Sequence, residues 1–94
     1  MHFEHAALNV PDPRAMADWY VTHCGAHVVS AKDEPPYTRF LSDMTGRVIL
    51  EIYANPEAPI PDYPSQDPLC LHFAFAVDDI ESEKARLLAA GAEL

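Results

Sequence analysis

The tightest constraint on what this chain can fold into is that it begins to repeat itself. With Glu4 set over Leu71, the stretch EHAALNVPDPRAMADWYVTHCGAHV runs in step with LHFAFAVDDIESEKARLLAAGAEL. His5 falls on His72, Ala7 on Ala74, Val10 on Val77 and Asp12 on Asp79. Dropping one residue near the end brings Gly25 onto Gly91 and Ala26 onto Ala92. Both stretches read as an alternating strand, an Asp cap, a helix and a Gly-Ala stop, which marks a duplicated module.

Each element has a local cause. Residues 3–10 alternate, with Ala6, Leu8 and Val10 on one face and His5, Ala7 and Asn9 on the other. Asp12 is placed to cap a helix and Pro13 stands at its first position, where a missing N–H costs nothing. Met16, Trp19, Tyr20 and His23 follow at helical spacing, and Gly25 supplies a left-handed stop. The second stretch repeats this from Phe73, Phe75 and Val77 through Asp79 to Leu87, Leu88 and Gly91.

Between the two stretches lie three strand-like runs, His27 to Ala31, Tyr37 to Ser42 and Arg47 to Tyr53. The turn residues DEPP from Asp33 divide the first two, and Asp43 to Gly46 suits a hairpin between the last two. Residues 55–68 carry Pro56, Pro59, Pro61, Pro64 and Pro68 with no apolar period, as an extended linker would. The expected organisation is α+β. A first βαβββ module spans 1–54, a proline-rich linker 55–68, and the strand and helix opening a second βαβββ module 69–94. If the second copy follows the first, three further strands belong after Leu94. A fragment is the expected explanation, with completion by a partner chain as the alternative.

Charge and length narrow the function classes. Ninety-four residues make at most one ordinary domain, and 49% apolar residues suffice for a core. Fifteen acidic residues against six basic ones give a net charge of -9, which repels nucleic-acid phosphates and anionic lipid. No apolar run approaches the roughly 20 residues that span a bilayer. The N-terminus MHFEHAALNV lacks the basic start and apolar block of a signal peptide, so a cytoplasmic location is expected. Cys24 and Cys70 lie far apart and form no metal or redox motif; reduced thiols are expected.

Polar residues that interrupt apolar faces are the candidates for chemistry. In the run Arg47 to Tyr53, Val48, Leu50 and Ile52 make one face, and Glu51 sits on the other between Ile49 and Tyr53. His5 and His72 lie on the faces of their strands opposite the helix-packing residues. Two imidazoles and a carboxylate facing one cavity are a plausible donor set for Zn, Ni, Mn or Fe. Taken singly, each has a plainer reading as a half-exposed strand residue. Asn9 and Tyr53 line the same face as candidate substrate contacts, against simple packing or hydrogen bonding. Arg39 is a candidate clamp for an anionic substrate, against a surface ion pair.

HAALNVPDP at His5, CGA at Cys24, RVILEIYANP at Arg47, LHFAFAVDDIE at Leu71 and GAEL at Gly91 together resemble the vicinal oxygen chelate superfamily of glyoxalases, bleomycin-resistance proteins and extradiol dioxygenases. The resemblance implies paired βαβββ modules whose curved sheets enclose one site. It further implies metal ligands on the first and fourth strands of each module: His5 and Glu51 in the first, His72 in the second, and a fourth beyond Leu94. A divalent metal there would make this a glyoxalase-like lyase or isomerase acting on a small α-oxygenated carbonyl compound, with Glu51 as ligand and acid-base group. The alternatives are an Fe(II) extradiol dioxygenase, for which no second strand histidine is evident in the first module, and a non-enzymatic small-molecule binder. The neutral Asn9 speaks against glutathione as substrate. A homodimer is the expected assembly.

Overall fold

A computed structural model describes all 94 residues, and the chain divides into two compact units, Met1–Pro61 and Asp62–Leu94. In the first unit the order is β1 (Ala6–Asn9), α1 (Pro13–Cys24), β2 (His27–Ala31), β3 (Arg39–Ser42) and β4 (Val48–Tyr53). The strands form one sheet in the order β1-β4-β3-β2. β1 runs parallel to β4, and β4-β3 and β3-β2 are antiparallel. This is a βαβββ module, and α+β describes the fold.

The first helix forms where its signals stand. Asp12 accepts a hydrogen bond from the Ala15 N–H at 3.1 Å, Pro13 opens the helix, and Gly25 closes it at φ 67. A side chain at that φ would meet the carbonyl, so glycine is the low-cost residue there. α1 packs on β2 and β3 and covers one face of the sheet. Ala17 of α1 is buried together with Val10, Leu41, Leu50 and Ile52, with Ile52 fully sealed from solvent. Each such aliphatic side chain contributes roughly 1.5–3 kcal/mol by leaving water.

Strand ends differ from the periodic reading: β1 covers Ala6–Asn9 instead of residues 3–10, β3 starts at Arg39 instead of Tyr37, and β4 at Val48 instead of Arg47. The parallel ladder of β1 with β4 opens at the Ala6–Leu50 pair. β3 begins at Arg39 rather than Tyr37, because Tyr37 takes a left-handed φ of 58 and its N–H closes a turn onto the Glu34 carbonyl. The Arg14 guanidinium lies 4.1 Å from the centre of the Tyr37 ring and helps hold that conformation. The hairpin at Asp43 to Gly46 forms as expected, with the Asp43 carboxylate accepting the Thr45 N–H at 2.9 Å.

The first unit also extends past residue 54, to Pro61. Asn9 is the reason. Its side-chain oxygen accepts the Asn55 N–H at 2.7 Å, and its amide donates to the carbonyls of Asn55 and Ala58, both at 3.0 Å. The start of the proline-rich stretch is thereby stitched to β1.

The second unit contains a short 3-10 turn at Tyr63–Ser65 and α2 (Ile80–Ala89). α2 copies the start of α1: the Asp79 carboxylate accepts the Ser82 N–H at 3.1 Å, and Gly91 follows the helix at φ 101. The strand expected over Phe73 to Val77 does not form. In the first unit β1 has a single ladder partner, β4, and the second unit contains no strand to play that part. Leu71, Phe73, Phe75 and Val77 are accordingly exposed.

Candidate functional site

The sheet face that α1 leaves open is set by register. Directly paired residues point to the same side, and here Ala7 faces Glu51, Asn9 faces Tyr53, and Phe40 faces Glu51 from the other neighbour. One surface therefore carries Ala7, Asn9, Phe40, Glu51 and Tyr53, and His5 joins it from just before β1. Glu51 sits at the centre of this surface, with strands on both sides.

His5 and Glu51 meet there. His5 Nε2 lies 3.1 Å from Glu51 Oε2, and the two side chains are 24% and 23% exposed. On the other side of the ring, His5 Nδ1 lies 3.0 Å from Glu4 Oε2. The Phe40 ring meets the imidazole at 89° with centroids 5.4 Å apart. The imidazole is thus held at both nitrogens and along one side. This arrangement can accept or donate a proton, and the nitrogen and carboxylate oxygen can serve together as two donors to a borderline divalent cation.

His72 belongs to the second unit, where its Nδ1 lies 2.8 Å from the Pro68 carbonyl oxygen. No group of three or more His, Cys, Asp or Glu side chains is arranged to hold a metal ion. His5 and Glu51 fit as part of a donor set and do not complete one. Tyr53 is half-buried on the open face. Asn9 lies on the same face with its amide group spent on the backbone of residues 55–58.

Arg39 is placed differently from the substrate clamp the strand pattern suggested. It pairs with Ile52, which puts it on the helix-side face, away from Glu51. It is buried, and its guanidinium donates to the carbonyls of Lys32 and Tyr37, closing the β2-β3 loop, with Asp33 3.9 Å away. The ion pair with Asp33 is the plainer of the two readings of Arg39, and its carboxylate side is open to solvent, Asp33 being 99% exposed.

Two residues of the site have no signal in periodicity. Phe40 is brought beside Glu51 and His5 by the β3-β4 register, which only long-range pairing fixes. Glu4 could have been noticed as the carboxylate next to a candidate histidine. Burial, reinforced by Cys24, raises Tyr20 on α1, and hydrogen bonds from Thr45 lower Asp43 in the hairpin. Neither Cys24 nor Cys70 takes part in a disulfide.

The first unit is thus a βαβββ module with an imidazole-carboxylate pair on the face opposite its helix. The chain belongs to the Glyoxalase/Bleomycin resistance protein/Dioxygenase superfamily, whose profile matches residues 2–94. Neither a curated protein nor a solved structure matches it. No helix is long and apolar enough to cross a membrane.

Proposed function

We propose that the open face of the sheet is the floor of a small-molecule site, and that the protein is a glyoxalase-like, metal-dependent lyase or isomerase acting on an α-oxygenated carbonyl compound. The observation that carries this reading is the 3.1 Å approach of His5 Nε2 to Glu51 Oε2 at the centre of that face. His5 and Glu51 are the metal ligands from the first module, and the repeat assigns the same role to His72. A divalent metal (Zn, Ni, Mn or Fe) would supply Lewis-acid stabilisation for the oxyanion of the substrate.

The chain's own residues do the rest. Glu51 is partly shielded by its sheet neighbours yet open to the face, so its carboxylate can reach a substrate carbon and take a proton from beside the carbonyl. Phe40 on the adjoining β3 and Tyr53, two residues further along β4, flank it on the same face. The net charge of -9 favours a neutral or cationic substrate over an anionic one. A homodimer in the cytoplasm is part of the same proposal, to be checked by sizing in solution.

The test is bound metal in untagged protein, beside His5→Ala, Glu51→Gln and His72→Ala. Near one equivalent of a divalent metal, lost in all three variants, supports the reading. Retention in His72→Ala alone confines the site to the first module. No binding in any form, even after reloading, overturns the enzyme reading in favour of a metal-free binder of small molecules.

A further inference from the structure

The polar groups of the open face are unequally spent. Asn9 gives its amide hydrogens to the carbonyls of Asn55 and Ala58 and its oxygen to the Asn55 N–H. His5 has a carboxylate at each ring nitrogen, Glu4 at 3.0 Å and Glu51 at 3.1 Å. The arginines of β3 and of the hairpin before β4 are occupied elsewhere: Arg39 closes the β2-β3 loop on the helix side, and Arg47 donates to the Phe3 carbonyl. Glu51 differs. Its contact with His5 uses Oε2, which leaves Oε1 as an acceptor at the centre of the face, on a side chain that is 23% exposed. The Tyr53 hydroxyl can donate or accept. A ligand lying here meets acceptors and negative charge, and no uncommitted cationic donor.

We infer that the ligand of the open face is a small primary amine carried as its ammonium ion, with the charged head on Glu51 and an apolar or aromatic body across Ala7 and against Phe40. This rests on the reading of the face as a small-molecule site; it needs no metal, and it holds whether the protein transforms the amine or only retains it. An ammonium group has three hydrogens to donate and no acceptor, which complements the groups left over here. A carboxylate or phosphate would meet Glu51, and Glu4 beyond His5, with no free cation to offset them. The flanks of Glu51 supply room for the body. Ala7, directly opposite on β1, is exposed and carries only a methyl group, so that side is low. Phe40, directly opposite on β3, is half-buried and stands against the His5 ring, forming an aromatic border whose π-system also attracts a cation. The net charge of -9 draws cations toward the whole surface, and the face adds the one carboxylate set among apolar neighbours.

The experiment uses the full chain, 15N-labelled and untagged, titrated at neutral pH with phenethylamine, phenethyl alcohol and phenylacetate. The three probes share a body and carry a cationic, a neutral and an anionic head. Backbone amide shifts report both where each probe lies and how tightly it is held. The expected result is that the amine binds about 10-fold or more tightly than the alcohol, with shifts centred on Ala7, Phe40 and Glu51, and that phenylacetate does not bind. Glu51→Gln removes the preference for the amine and leaves the affinity for the alcohol. Ala7→Leu changes no charge and fills the low flank, so it weakens amine and alcohol alike; Ala7 is exposed, and circular dichroism checks that both variants keep the fold. Equal affinity for amine and alcohol, a preference that survives Glu51→Gln, or amine shifts centred on the acidic residues of α2 overturns the amine assignment, and alcohol shifts centred on Ala7 and Glu51 then leave the small-molecule site standing. No shift on the face with any of the three probes overturns the small-molecule reading and this inference together.

Discussion

Val10 and Val77 hold the same place in the repeat and have opposite surroundings. Val10 is 2% exposed, next to a paired strand and under a helix; Val77 is 43% exposed, in a stretch with no ladder. The helices that follow them are far more alike, each opened by an aspartate that caps at 3.1 Å. The contrast separates two kinds of instruction. A helix cap and a left-handed glycine are satisfied within a few residues, so both copies obey them. A strand is satisfied only by a neighbour distant in sequence, and one copy has that neighbour while the other does not.

The difference is sharpest in core truncations. Ile52→Ala removes a fully sealed side chain from the first unit and should cost about 3 kcal/mol, and Val10→Ala roughly 2 kcal/mol, in denaturant unfolding. Val77→Ala should change stability by less than about 0.5 kcal/mol. A large cost at Val77 would break the contrast, because it would mean that the second stretch is packed in solution.

The caps should give a smaller and more even effect. Asp12→Ala and Asp79→Ala each remove an acceptor for one helix N–H and should each cost about 1 kcal/mol of local helix stability. Amide exchange read separately over α1 and α2 is the measurement. Loss of protection confined to the helix bearing the substitution would sharpen the point that these signals are local.

The smallest effect lies in the hairpin, which the second copy lacks within these residues. Asp43 is lowered from 3.8 chiefly by the hydrogen bond from the Thr45 hydroxyl, then by that of the Thr45 N–H. A depressed carboxylate stabilises the fold above its unfolded value, and the contribution disappears as pH falls through the folded value. In Thr45→Val the hydroxyl is lost and the N–H remains, so Asp43 should titrate closer to 3.8, short of reaching it. An NMR titration of the Asp43 carboxyl checks the direction.

These contrasts also explain what could be read from the residues alone. Asp12, Pro13 and Gly25 delimit α1 because their effects are local, and the alternation of Val48 to Tyr53 places Glu51 opposite the buried face because a strand has a period of two. His5 and Glu51 could be matched because the repeat and the strand pattern assign both to the same side. Arg39 could not be placed this way. Its side of the sheet depends on where β3 begins, and that is set by the left-handed Tyr37 and the loop that the guanidinium itself closes. Asn9 was legible as a residue of the open face but not as the anchor of residues 55–58, since its partners lie about 46 residues away and carry no side-chain signal.

That anchor has a mechanical consequence. β1 and β4 are parallel, and the chain leaves the end of β4 straight into the segment that Asn9 grips. Tension arriving along the proline-rich stretch is divided at Asn9, part running down β4 through covalent bonds and part crossing into β1 through the amide. Both strands are then loaded in the same direction, as in a lap joint, and the neighbouring His5 and Glu51 are carried along together instead of being sheared apart.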